Sequence, residues 1–282
     1  MAEKSEQEPR ANPRAGDAEA TGSKADLTDP NLAGWARPLE RLRQALDKDD
    51  FSLYCQPVLA LQPGAATRYP IGEVLVRMRE EEQAMLPPGE FLPVLEHYNM
   101  MPELDRWVVR NLAKRLAAAS PIPAFALNVS AQTIADAEFP KYVAEVAQAA
   151  QLGPGSLVFE VEEQELLYRQ DVVAAFLAAL KPSGAAILIA GFGRKAVSFT
   201  ALKAIGANYV KVDGSIVRKL LQSELARTKI AAIVRVCQAI GMRVIAECVE
   251  EPEILEKLRS IGVDYAQGFG VLQPQPIDAL RL

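Results

Sequence analysis

The stretch Ala186–Ile216, AILIAGFGRKAVSFTALKAIGANYVKVDGSI, decides the fold. AILIA is an aliphatic, β-branched run of the length of a buried strand. Gly191 and Gly193 are expected to break it. Val197–Ile205 has helical spacing, and Gly206 is placed to end that helix as its C-cap. Tyr209–Val212 reads as a second strand, with Lys211 and Asp213 at its carboxyl end. In an α/β fold that end is where chemistry is placed.

The same alternation extends outward in both directions. Upstream, Leu39–Lys48 is helical, and Phe51–Leu61 is a strand in which Pro57 predicts a bend or an edge. Pro70–Met78 is a strand, Pro88–Tyr98 and Pro102–Ala119 are helices, and Ala124–Val129 is a strand. Ala137–Gln151 is helical, Leu157–Val161 extended and Asp171–Lys181 helical. Downstream, Ile216–Ile240 reads as one long helix or two pieces, Arg243–Ala246 as a strand, Pro252–Ile261 as a helix and Val263–Phe269 as a last strand. About eight strands alternating with helices favour a parallel α/β fold, and their number fits a (β/α)₈ barrel better than an open sheet. No GxGxxG follows an early strand, against a dinucleotide fold.

Met1–Asn31 has almost no large apolar residue and is expected to be a disordered tail ahead of a domain over 32–282. The net charge of −5 argues against duplex nucleic acid, which wants a basic face, but a local patch suffices for a small anionic ligand. Cys55, Cys237 and Cys248 show neither disulfide nor zinc spacing, as suits a reducing cytoplasm. No apolar run is long enough for a membrane span and no signal-peptide core is visible, so a cytoplasmic location is expected. His97, the single histidine, has no catalytic or ligand pattern around it, which sets aside triad and histidine-metal hydrolysis.

Polar residues recur at the strand ends. Glu73 and Arg77 share one face of their strand, Asn128 ends the next, and Glu160 and Glu163 follow LVF. Lys211 and Asp213, Glu247 and Glu250, and Gln267 complete the series. A barrel would gather these groups into one mouth. Glu73, Asn128 and Glu160 are hard oxygen donors suited to Mg²⁺ or Mn²⁺, Lys211 suits a water or phosphate, Glu247 a general base and Arg77 a phosphate.

These residues stand in motifs that resemble the EAL domain, the bacterial phosphodiesterase and receptor module for cyclic di-GMP. Gln56-Pro57 resembles its YQP, Glu73-Val74-Leu75 its EAL, and Leu104-Asp105-Arg106-Trp107 its LDxW. Asn128-Val129-Ser130 matches NVS, Glu160-Val161-Glu162-Glu163 stands for E-[IL]-T-E, Ala246–Glu250 for AEGVE, and Gln267-Gly268-Phe269 for QGY. The resemblance implies a barrel whose first strand is antiparallel to the rest. It implies metal-ligand positions at Glu73, Asn128 and Glu160, water-activating positions at Lys211 and Glu247, with Gln267 in support, and a loop-steadying Glu163. It also implies a ligand surface formed by Gln56, Glu73, Val74, Leu75, Arg77, Asp105, Asn128, Glu160, Lys195, Asp213, Glu250, Gln267 and Phe269. Phe91 and Leu92 read as core, in a region that the resemblance places near the ligand bases.

The departures shape the functional expectation. The family writes DDFGTG where this chain has Ala190-Gly191-Phe192-Gly193-Arg194-Lys195. Two aspartates that the resemblance assigns to metal are replaced by a methyl and a hydrogen, while two cations arrive beside them. The expected reading is a catalytically inactive cyclic di-GMP receptor that signals through an unidentified protein partner; Arg194 and Lys195 either offset the lost metal charge or simply face solvent. No cofactor is expected, Mg²⁺ or Mn²⁺ entering only with residual activity at Glu73, Asn128 and Glu160. The alternatives are a protein-interaction scaffold without nucleotide and a weak metal-dependent phosphodiesterase. By resemblance, a homodimer through the helices at 171–181 and 196–205 is open.

Overall fold

The computed structural model describes residues 34–80, 85–118, 120–195 and 198–282. The expected tail over Met1–Asn31 lies outside them. Among the described residues ten strands form one sheet: β1 Phe51–Ala60, β2 Ile71–Arg79, β3 Met85–Leu86, β4 Ala124–Asn128, β5 Leu157–Glu162, β6 Ala186–Phe192, β7 Tyr209–Val212, β8 Arg243–Ala246, β9 Tyr265–Ala266 and β10 Gln275–Pro276. Their order is β10-β1-β9-β8-β7-β6-β5-β4-β2-β3, and β1 also pairs with β2. β1, β2 and β4 to β9 therefore close into an eight-stranded barrel, with β3 and β10 as short extensions. β1 is antiparallel to both β2 and β9, whereas β2 and β4 to β9 run parallel around the ring.

The register sets two layers inside the barrel. Val58, Ile71, Ala126, Val158, Leu188 and Ile245 pack as an apolar plug. Inward-facing positions alternate along each strand, so the next residues toward the carboxyl ends face the same interior one layer higher. Those residues are Glu73, Asn128, Glu160, Ala190, Lys211, Glu247 and, after β9, Gln267. The outward faces meet the helices in the main core, through Phe125, Phe159, Leu112 and Ile230 among others.

Three local expectations are corrected. Gly191 does not end its strand: β6 continues to Phe192 through an irregularity in its pairing with β7, and Gly191 takes φ +61 there. Glycine reaches this left-handed conformation without the Cβ penalty. β1 runs through Pro57 without a break, and Pro57 does not lie on a free edge. It pairs opposite Gly72, in the interval between the contacts of β1 with β10 and with β9, where the ladder has no use for the missing N–H. The last strand shrinks to Tyr265–Ala266.

The helix at Phe199–Ile205 is bounded by Ser198, whose side chain accepts from the Ala201 N–H, and by a left-handed Gly206. Ile216–Ile240 resolves into a turn at Gly214–Val217 and a helix at Glu224–Ile240. Two short helices, Ala131–Ile134 and Glu163–Tyr168, had no periodicity long enough to announce them. Among the described residues no helix is long and apolar enough to cross a membrane.

Candidate functional site

At the carboxyl ends of the parallel strands, Gln56, Glu73, Asn128, Glu160, Lys211 and Gln267 form one hydrogen-bonded network. Lys211 Nζ donates to Glu160 Oε1 at 2.6 Å and to Glu73 Oε2 at 2.9 Å. Gln267 Nε2 donates to Glu73 Oε2 at 2.7 Å and to Gln56 Oε1 at 3.2 Å. Asn128 Nδ2 donates to Glu73 Oε1 at 3.2 Å. Gln56 anchors the far end by donating to the Leu272 carbonyl.

The two carboxylates share one ammonium unequally. Burial pushes the Glu73 carboxyl up, but Lys211, Gln267 and Asn128 together hold it below its ordinary value. Glu160 is more deeply enclosed; burial pushes it up to about 8 against the pull of Lys211, with Glu73 and Glu247 adding to the rise. Burial alone would lower the Lys211 ammonium, yet its two carboxylate partners raise it. The one ammonium thus offsets the cost of burying two carboxyls side by side, more completely for Glu73 than for Glu160. Glu160 Oε2 and Gln267 Oε1 are buried and have no hydrogen-bond partner among the described residues. Buried acceptors left open in this way mark a place for water or ligand.

A cleft of about 500 Å³ opens beside Glu160 and Asn128, within the range of pockets for a ligand of a few hundred daltons. Val74, Leu75, Leu92, Met101 and Leu104 give it an apolar wall, and Asp105, Ser130 and Glu162 add polar groups. Asp105 is 5% exposed and accepts from Thr133 Oγ1 at 2.5 Å and from the Ser130 N–H at 3.2 Å. Burial pushes its carboxyl up to about 6 against those bonds. Phe91 belongs to the core while Leu92 faces the cleft.

The other sequence-derived candidates are placed around the rim. Glu163, 2% exposed, accepts from the N–H groups of Gly193 and Lys195 at 3.2 and 2.7 Å and so holds the loop after β6. Glu247 accepts from the Gly214 N–H at 2.7 Å, and burial raises its carboxyl. Asp213 caps the turn at Gly214–Val217 and stands 3.5 Å from Arg194 Nε. Arg77 lies over the Tyr54 ring, 5.3 Å from its centroid, and donates to the Val76 carbonyl rather than lining the cleft. Lys195, Glu250 and Phe269 have exposed side chains outside the network. The loop cation turned toward the strand ends is thus Arg194, not Lys195. Sequence reasoning also passed over Glu162, although its carboxylate stands where the resemblance has threonine.

The Mg²⁺ or Mn²⁺ pair that the resemblance implies does not fit these donors. An ammonium already lies between Glu73 and Glu160. Asn128 turns its amide nitrogen to Glu73, and β6 offers only Ala190 and Gly191. Among the described residues no three Asp, Glu, His or Cys side chains gather as metal donors. Hard divalent ions need several oxygen ligands, and an ammonium in their midst opposes them by charge.

The EAL domain model matches residues 39–274. The cyclic di-GMP phosphodiesterase PdeF of Escherichia coli K12 is 32% identical over 247 residues, which covers 86% of this chain and 32% of that protein. The cyclic di-GMP phosphodiesterase PdeB of Shewanella oneidensis is 29% identical over 250 residues, covering 88% of this chain and 29% of PdeB. The chain thus spans about a third of the length of these relatives. Among solved structures, the Xanthomonas citri FimX EAL domain in complex with c-di-GMP superposes with a TM-score of 0.79 at 25% identity, over 86% of this chain and 95% of that one. The Pseudomonas aeruginosa FimX EAL domain bound to c-di-GMP gives 0.78 at 26% identity, over 85% and 96%. With its barrel, its antiparallel first strand and a family match over most of its length, this chain belongs to the EAL domain family.

Proposed function

We propose that this chain is a metal-independent receptor for cyclic di-GMP that no longer hydrolyses it and that passes the signal to a protein partner. One observation carries the reading: Lys211 provides a resident cation between Glu73 and Glu160, while β6 presents a methyl and a hydrogen. A polar mouth built this way retains groups that orient a phosphodiester but lacks the donors that would polarise it for attack. The cleft beside it has an apolar wall on which a base can pack, and the open acceptors of Glu160 and Gln267 await donors. Solved EAL domains of similar architecture are described as bound to c-di-GMP, which supports the choice of ligand. A cytoplasmic location goes with that ligand.

The partner is a second protein, a second copy of this chain, or both. Leu167, Tyr168 and Val172 are exposed on consecutive helices after β5, and a scaffold working by protein contacts alone would use that face.

Calorimetric titration with cyclic di-GMP, once in EDTA and once in Mg²⁺, with the nucleotide recovered afterwards, tests the reading. Saturable binding in EDTA with intact nucleotide is expected. No binding in either buffer leaves the scaffold reading, and linear product in Mg²⁺ restores the phosphodiesterase.

A further inference from the structure

The charges at the end of β6 have been rearranged as well as reduced. A Cβ placed on Gly191 would lie 2.9 Å from Glu162 Oε2 and 3.9 Å from both Cζ and Nε of Arg194. Two side chains of opposite charge therefore converge on the space that a side chain at 191 would fill. Glu162 comes from the end of β5 and lines the cleft. Arg194 comes from the loop after β6, whose backbone is held by Glu163 on both sides of it. Lys229 adds a third tie, donating to the Gly193 carbonyl.

The backbone is fixed, but the guanidinium is weakly engaged. Arg194 is about half exposed, and its one ion-pair partner among the described residues is Asp213, at 3.5 Å through Nε. Asp213 Oδ1 is already occupied by Ser215. A single long contact leaves the planar fork of the guanidinium, which suits two oxygens at once, largely unused.

We propose that Arg194 is the phosphate-binding residue of the cleft and that Glu162 sets the strength of that contact by opposing it. The assignment rests on the receptor reading above. A phosphodiester entering beside Glu160 offers the guanidinium a bidentate partner in place of Asp213. Glu162 repels the same phosphate across the space above Gly191. Glycine at 191 is what lets the Glu162 carboxylate reach that space, since a Cβ there would lie 2.9 Å from its Oε2, while Arg194 stands at contact distance.

The full chain, R194Q and E162Q are titrated with cyclic di-GMP in EDTA at low and moderate salt. R194Q is expected to bind about tenfold more weakly, with a flatter salt dependence, because a charge-assisted contact is lost. E162Q is expected to bind a few-fold more tightly, because a like charge beside the phosphate is gone. Neither side chain is buried, so unchanged unfolding midpoints verify that neither variant alters the fold. A wild-type protein that binds while R194Q binds equally well overturns this assignment and leaves the receptor reading standing. A wild-type protein that binds nothing overturns both. Weaker binding by E162Q overturns the role given to Glu162.

Discussion

Lys211 Nζ lies 2.6 Å from Glu160 Oε1, in an interior where the lysine is 2% and the glutamate 4% exposed. The ammonium is the only cation in contact with Glu73 and Glu160 among the described residues. K211M is therefore expected to destabilise the fold by about 3–5 kcal/mol, the cost of leaving buried carboxyls without their counter-charge. Urea unfolding measures this. A loss below about 1 kcal/mol would mean that both carboxyls shed their charge without difficulty.

Restoring both carboxylates, as A190D/G191D, is expected to create Mn²⁺ binding and a slow, Mn²⁺-dependent opening of cyclic di-GMP, with the parent chain giving none. Ala190 is 2% exposed and sits where the inward layer faces the mouth, so an aspartate there points at the network. Gly191 has a left-handed φ that aspartate tolerates better than most residues, and the tip of Glu162 is free to give way. Calorimetry with Mn²⁺ and chromatography of the nucleotide are the readouts. If the double variant binds no metal, the mismatch between this mouth and a metal site extends beyond these two positions.

Asp105 gives the fold a pH dependence. Its carboxyl is raised by burial from 3.8 to about 6. A raised acid is protonated more readily in the folded than in the unfolded chain, so folding binds a proton in that window. The stability this contributes is complete below 3.8 and is lost as pH rises through 6. Two units amount to about 3 kcal/mol. Urea midpoints between pH 4 and 7 should fall with rising pH in the parent and fall less in D105N. Equal slopes would show that Asp105 ionises as it would in water.

Cys248 has φ 56, and a Cβ on Gly214 would lie 2.5 Å from its Sγ and 2.8 Å from its Cβ. Left-handed backbone costs a non-glycine residue about 1–2 kcal/mol. C248G is expected to stabilise the chain by about 0.5–1 kcal/mol, after subtracting the added freedom of the unfolded glycine. G214A alone should cost about 1–3 kcal/mol by overpacking. In the C248G background that cost should largely vanish. A double-mutant cycle in urea reads the coupling, and additive effects would contradict the contact.

Much of this was legible one residue at a time. The period-two face of β2, the NVS end of β4, the carboxylates after LVF and the Lys-Val-Asp end of β7 all mark strand ends, because a polar group closing an apolar run has few other places to go. The closed barrel agrees with that pattern. Gly191 was misread because a glycine at the end of an apolar run is also a turn signal, and only the pairing of β6 with β7 distinguishes a bulge from a break. Pro57 was misread for a related reason: whether a missing N–H matters depends on what lies across the ladder. The resemblance places Asp105 and Leu92 near the ligand, and their position on the cleft wall comes from the packing of the helices at Pro88–His97 and Met101–Ala117 against the barrel.

By itself the sequence determined the alternation of strands and helices, the polar character of the strand ends and the replacement of two carboxylates by Ala190 and Gly191, since each is a property of composition at a known spacing. Only the tertiary structure decided how the surviving charges are matched. Lys211 meets Glu160 and Glu73 across 51 and 138 residues of chain. Arg194, rather than its neighbour Lys195, turns toward Asp213 and the space over Gly191. Contacts of that kind depend on barrel closure and on a backbone held from outside the loop, and no local pattern encodes either.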